Sequence, residues 1–227
     1  MTELARRLQG VRDRIAAACA RTRRDPGSVR LVAVTKTVPP AVVAEAMAVG
    51  QTLFGENRVQ EALAKMAEAG PGAAWHLIGH LQKNKARLAA GAFELIHGVD
   101  DRELAFELDR RAEARSITQP VLVQANIAGE PTKRGVGEDG LVPLLEVVAR
   151  LAHLDLRGLM IIPPPADDPE RSRPWFRRLR ELRDRAASRL TRPLPELSMG
   201  MTDDFEVAIE EGATLVRVGR AIFGERV

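Results

Sequence analysis

Residues 31–57 read LVAVTKTVPPAVVAEAMAVGQTLFGEN and hold one complete structural repeat. The apolar, β-branched-rich run at 31–34 (LVAV) suits a short buried strand. A helical stretch follows over 40–49, and a second apolar run comes at 52–54 (TLF). Moving outward, the same alternation recurs. Further runs stand at 75–78 (WHLI), 94–97 (ELIH), 121–127 (VLVQANI), 156–162 (LRGLMII), 195–199 (PELSM) and 214–218 (TLVRV). Helical stretches separate them at 57–69, 81–90, 101–115, 139–152, 170–190 and 203–211, with a short last one at 220–225. Strand–helix alternation of this kind argues a parallel sheet, and strands apolar throughout are those covered by helices. Eight units in about 200 residues reach the lower size limit of a closed barrel. A doubly wound open sheet is the competing arrangement. Eight regular units favour an α/β fold of one (β/α)8 TIM-type barrel. The expectation is a single domain over 1–227, with a leading helix over 1–24 whose apolar positions are Leu4, Leu8, Val11, Ile15 and Ala18.

Composition narrows the chemistry. With 227 residues, 45% hydrophobic, the chain can build one large core. A single cysteine, Cys19, excludes an intramolecular disulfide and a Cys-rich zinc site, and fits a reducing cytoplasm. No apolar run approaches the roughly 18 residues of a membrane span, and MTELARRLQGVRDR is not a signal peptide. The net charge of +3 is mild, so nucleic-acid binding is not expected. The arginine-rich stretch 170–190 carries the apolar stripe Phe176, Leu179, Leu182, Ala186 and Leu190, which reads as a helix with a solvated charged face. There is no tyrosine anywhere, so none can act as catalytic acid or base.

In such barrels ligands bind at the carboxyl ends of the strands. Those ends are Thr35-Lys36, Gly55-Glu56-Asn57, Gly79-His80, Gly98-Val99-Asp100, Asn126, Met160, Ser198-Met199-Gly200 and Arg217-Val218-Gly219. Only five of the 34 cationic side chains are lysines, and Lys36 sits directly at a strand end. A partly buried amine can become neutral and attack an aldehyde, which a guanidinium cannot do. The alternative is a lysine snorkelling from the rim. SMGMTDD and RVGRAIFG place glycines and helix-opening amides at the last two strand ends, an arrangement that suits a phosphate. Taken singly, each is also ordinary turn and capping chemistry. His76 and His80 straddle a strand end and read as structural, while His97 and His153 stand isolated.

The segments LVAVTKTVPP, FGENRVQE, WHLIGHLQKNK, VLVQANIAGEPTKRG, GLMIIPPP, LSMGMTDD and RVGRAIFG resemble, in order, those of the pyridoxal phosphate (PLP) homeostasis proteins. These are barrel proteins related to the N-terminal domain of alanine racemase. The resemblance implies that Lys36 holds PLP as an internal aldimine. Ser198 and Gly200, with the amides of Gly219 and Arg220, would hold the phosphate, and Met199 would also be a cofactor contact. Arg217 would face the pyridine nitrogen, and Asn57 and Met160 would line the surroundings. Two departures stand out: Thr202 replaces the serine of SMGMS, and Arg220 replaces a threonine.

The same resemblance implies a cytoplasmic, monomeric carrier for the cofactor, with apo-enzymes as candidate recipients and neither nucleic acid nor membrane as partner. A racemase or another PLP enzyme of this barrel type is the alternative. Racemases of this kind add a tyrosine from a second domain, and no tyrosine is present here. Lys83, Lys85 and Lys133 read either as a basic rim that attracts the anionic cofactor or as solvated cations.

Overall fold

The structure, a computed structural model, describes residues 2–130 and 133–224. Eight parallel strands follow in chain order: β1 (Arg30–Val34), β2 (Leu53–Glu56), β3 (Ala74–Leu77), β4 (Leu95–Val99), β5 (Gln119–Ala125), β6 (Leu154–Ile161), β7 (Glu196–Ser198) and β8 (Leu215–Val218). Each pairs with its successor, and β8 pairs back onto β1, so the sheet closes into a (β/α)8 barrel. Helix α1 (Glu3–Arg21) precedes β1. After the strands come α2 (Pro40–Ala48), α3 (Val59–Ala69), α4 (Ala86–Ala89), α5 (Arg102–Glu113), α6 (Glu138–Val148), α7 (Arg173–Leu190), α8 (Phe205–Glu210) and α9 (Arg220–Phe223). No helix among the described residues is long and apolar enough to cross a membrane.

Two expected helices are shorter than their sequence pattern. The stretch 81–90 forms a 3-10 turn at Lys83–Lys85 and then the four-residue α4. Arg115 Nη1 takes the Ala90 carbonyl at 2.5 Å, and Ala90 turns out of the helix at ψ 121°. The last helix stops at Phe223 because Gly224 adopts φ 89°; residue 225 lies outside the described residues, as do Pro131 and Thr132 of the β5 loop.

The barrel interior is filled by Val32, Leu53, Ile78, Leu95, Leu122, Met160 and Leu215. Side chains two apart on a strand share a face. His97 therefore follows Leu95 inward on β4, and Arg217 follows Leu215 inward on β8. On β6 the register against β5 slips: Val121 opposes Leu156 but Leu122 opposes Gly158, leaving Arg157 as the extra residue of a bulge. That slip changes which residues of β6 face inward, and Met160 joins the plug.

Helix α1 begins at Thr2, whose hydroxyl accepts from the Ala5 amide at 3.2 Å. It buries Leu4, Leu8, Val11, Ile15, Ala18 and Cys19 and packs against α8 and α9. Each large apolar side chain contributes about 1.5–3 kcal/mol on burial. Arg14 adds a two-pronged ion pair to Glu206 at 2.8 and 2.9 Å and lies 4.5 Å over the Phe205 ring. Arg24 caps the Ile209 and Ala213 carbonyls at 2.6 and 2.8 Å. In α7, Phe176, Leu179, Leu182 and Ala186 are buried, while Arg173, Arg177 and Arg180 converge on Glu211 and Arg178 pairs with Glu138. Arg189 pairs with Glu146 of α6, whereas Arg183 and Arg185 pair with Asp184 and Glu181 of α7 itself.

Candidate functional site

Lys36 follows β1 in a tight turn closed by the Val38 amide donating to the Thr35 carbonyl at 2.9 Å. Thr37 takes φ 64° at the third position of that turn. A β-branched residue is unfavourable there, so the surroundings must hold the turn against roughly 1 kcal/mol of strain. The restraint comes from behind. Lys65 of α3 donates to the Thr35 carbonyl at 2.6 Å and pairs with Glu56 at the end of β2. The Thr35 hydroxyl donates to the same Glu56 oxygen at 2.6 Å. Thr35, Glu56 and Lys65 are all buried, and Glu56 Oε2 has no partner among the described residues.

The Lys36 side chain is half-buried and forms neither hydrogen bond nor ion pair among the described residues. It lies between two hollows. One, of about 320 Å³, is lined by Lys36, Val38, Pro39, Gly219 and Arg220, among others. The second, of about 550 Å³, is bounded by Lys36, Asn57, Arg58, His80, Gln82 and Lys85. A third, of about 210 Å³, opens over the barrel axis between Val34, Asn57, Thr202, Arg217, Gly219 and Arg220. Asn57 borders two of them and Gly219–Arg220 border two. The first amides of α9 have no intrahelical acceptor and so are available at this rim.

Arg217 forms the floor. Its side chain is buried, donating from Nη1 to Ser198 Oγ at 2.6 Å and from Nη2 to the Ile161 carbonyl at 2.9 Å. Both acceptors are neutral. Burial lowers the guanidinium to about 10, with Asp204 opposing, so the cation persists at neutral pH. Remaining N–H groups on a buried cation make a strong donor site for an acceptor in the mouth.

Beneath Arg217 the polar contacts continue through the barrel. Ser198 Oγ lies 2.9 Å from His97 Nδ1, His97 Nε2 lies 3.0 Å from His76 Nδ1, and His76 Nε2 lies 3.4 Å from Glu94 Oε1. Burial depresses His76 to about 4, from an ordinary 6.5, and pushes His97 down in the same direction. Both rings are neutral at pH 7. The unfolded chain binds protons on these rings at a higher pH than the folded one. Stability is therefore full above about pH 6.5 and falls as the pH drops from there toward 4. His76 alone is expected to remove about 3 kcal/mol in the acid limit. Urea unfolding at pH 7 and pH 4.5 measures this, and a His76→Phe variant that keeps the full acid loss would assign it elsewhere.

The chain is 47% identical over 221 residues to a pyridoxal phosphate homeostasis protein of Aquifex aeolicus, covering 97% of each chain. It belongs to that family. The profile of the alanine racemase N-terminal domain matches residues 8–227. PipY of Synechococcus elongatus, whose structure has PLP bound, superposes with a TM-score of 0.87 at 38% identity, over 98% of this chain and 100% of that one. An alanine racemase of Clostridium difficile shares the fold at a TM-score of 0.75 and 14% identity, and this chain spans 56% of its length.

Within this homeostasis-protein fold, Lys36, Asn57, Gly219 and Arg220 come together around the hollows, with Arg217 below. Other expected positions lie elsewhere. Met160 is wholly buried in the interior plug, and Met199 packs in the outer core. The Ser198 hydroxyl is buried and already shared by Arg217 and His97. Gly200 adopts φ 90°, and a Cβ there would stand 2.6 Å from the Ala208 Cβ, so its lack of a side chain serves the packing of α8. Arg220 pairs with Asp203 across the rim. Met201 and Thr202 of SMGMTDD also border the axial hollow, in addition to the contacts that the resemblance implies. Lys85 lines the second hollow, Lys83 pairs with Glu103 at 2.8 Å, and Lys133 is held by Glu130 at 2.9 Å and the Pro163 carbonyl at 3.0 Å.

Proposed function

We propose that this protein binds pyridoxal 5'-phosphate at the mouth of the barrel, as a Schiff base on Lys36, and serves PLP homeostasis as a carrier without strong catalysis. The observation that carries the reading is the half-buried Lys36 amine, without a partner among the described residues, between two hollows that share Asn57 or Gly219–Arg220 with the axial hollow lined by the buried donor Arg217. The family relatives named for PLP homeostasis, and PipY with PLP bound, support it. When bound, PLP supplies an aldehyde that condenses with an amine and a ring that withdraws electrons.

The residues present fit that group. Lys36 provides the amine, and the turn pinned by Lys65 fixes where it stands. The amides opening α9, together with Gly219 and the Thr202 hydroxyl, provide donors for a phosphate at the rim of the axial hollow. Arg217 would set a cationic donor against the ring nitrogen. A cation there opposes protonation of that nitrogen and weakens the ring as an electron sink. The chain also lacks the tyrosine a racemase would set opposite its lysine, and Cys19 is sealed in the face of α1 against the core. Holding the cofactor is therefore better served than turning substrate over. The carrier would act in the cytoplasm and hand its cofactor to apo-enzymes.

Incubation with PLP, borohydride reduction and intact-mass analysis test the reading. One adduct is expected, mapped to the peptide containing Lys36 and absent from Lys36→Ala. An adduct on another lysine, or none, refutes it. Racemisation of free amino acids at an ordinary enzyme turnover, about 1–10³ per second, would refute the carrier role.

A further inference from the structure

The contacts below Arg217 admit one arrangement of protons. A guanidinium can only donate, so Ser198 Oγ accepts from Arg217 Nη1 at 2.6 Å. At the other end, a carboxylate can only accept, so the proton shared by His76 Nε2 and Glu94 Oε1 sits on the imidazole. A neutral ring carries one N–H, which leaves His76 Nδ1 as an acceptor for His97 Nε2–H at 3.0 Å. His97 Nδ1 is then an acceptor, and the Ser198 hydroxyl donates to it at 2.9 Å. Both rings are Nε2–H tautomers, and every step donates toward Glu94. Reversing either ring would set two acceptors or two donors face to face inside an apolar barrel, where an unmade hydrogen bond is most costly.

The two ends of this chain lie on opposite faces of the protein. Arg217 opens into the axial hollow at the mouth. Glu94 is half exposed in a separate hollow of about 390 Å³ that it shares with Arg30, Pro120, Asp155, Arg157 and Glu196 at the start of the strands. There Arg30 holds Glu94 at 3.1 Å and Glu196 at 3.0 Å, which keeps the terminal carboxylate in place.

We infer that Glu94, His76, His97 and Ser198 form a one-way hydrogen-bond relay through the barrel that positions the Arg217 guanidinium in the ligand site from the opposite face. The inference goes deeper into the proposed PLP site and rests on Arg217 facing the ring nitrogen; the relay itself stands on the protein alone. Ser198 is the joint. Its hydroxyl proton is claimed by His97, so its lone pair is always presented to Arg217. The four are positioning residues, and none need touch the cofactor.

Two readouts test this separately. In the ligand-free, 15N-labelled protein, imidazole correlation spectra should show His76 and His97 as neutral Nε2–H tautomers at neutral pH; the chain has 4 histidines, so assignment by single substitutions is direct. Glu94→Gln, a change at a half-exposed side chain, should release His76 into a mixture of tautomers. An Nδ1–H tautomer or a mixture at either ring in the unaltered protein overturns the relay, whether or not PLP binds.

The second readout is the 15N signal of ring-labelled PLP on the protein. Ser198→Ala should shift that signal and weaken PLP binding about tenfold or more, as loss of a hydrogen bond to a charged group does. Ser198→Thr, which keeps the hydroxyl, should restore both. An unchanged ring signal and affinity in a folded Ser198→Ala protein overturn the link to Arg217. Failure of the unaltered protein to take up PLP would instead sink the proposed function, and the relay would then be judged on the tautomers.

Discussion

Gly158→Ala is expected to remove more than about 4 kcal/mol of stability, enough to leave little folded protein at 37 °C. Gly158 sits in β6 directly after the bulge at Arg157, with φ 155°, and opposes Glu196 of β7. A Cβ there would lie 1.9 Å from the Glu196 carbonyl oxygen. That oxygen is backbone, not the tip of a flexible side chain, so the two strands would have to part. Parting them would also disturb Met160, Ser198 and the carbonyl of Ile161 that holds Arg217. Yield of soluble protein and its urea midpoint give the measurement. A variant within about 1 kcal/mol of the parent would show that β6 and β7 separate easily and that this bulge is not a constraint.

Lys65→Met should cost about 3–5 kcal/mol, the usual penalty for removing one partner of a buried ion pair. Glu56 would be left wholly buried, with one oxygen already without a partner among the described residues and the other left with the Thr35 hydroxyl. The loss also frees the Thr35 carbonyl from a 2.6 Å contact and loosens the turn that carries Lys36. Replacing the pair together, Glu56→Leu with Lys65→Met, should recover at least half of the loss, since a well-packed apolar pair can match a buried ionic one. The comparison of single and double variants by urea unfolding decides it. A double variant as unstable as the single one would mean that the charge left behind is not the cause. PLP uptake by the double variant should still be slower than by the parent, because the Thr35 carbonyl then lacks its anchor.

The barrel itself was plain in the sequence because parallel strands buried on both faces are apolar throughout, and each is followed by a helical period. Lys36 was legible for a related reason: an amine ending the run LVAVT is out of place unless the strand end is a site. Other features were hidden by parity. Whether His76, His97 and Ser198 face inward depends on strand register, and β7 is only three residues long, too short to show a period. The bulge at Arg157 shifts inward and outward positions within β6, so Met160, expected beside the ligand, belongs to the plug. Lys65 lies on α3 as an unremarkable cation until the buried Glu56 opposite it is known. That the Ser198 hydroxyl is shared by Arg217 and His97 is equally hidden, because nothing local in SMGM reveals it.

The polar column in the barrel has a consequence for how the chain folds. His76 and His97 belong to β3 and β4, but the groups that complete the column, Ser198 and Arg217, arrive with β7 and β8, about a hundred residues later. Long-range closure of this kind is the slow part of assembling a parallel sheet. A half-formed ring of the first four strands would leave both imidazoles wetted and titrating like free histidine. Their return to the neutral, shielded condition would then mark the moment at which the last strands seal the cylinder, giving a built-in kinetic clock that two residues report without any added label.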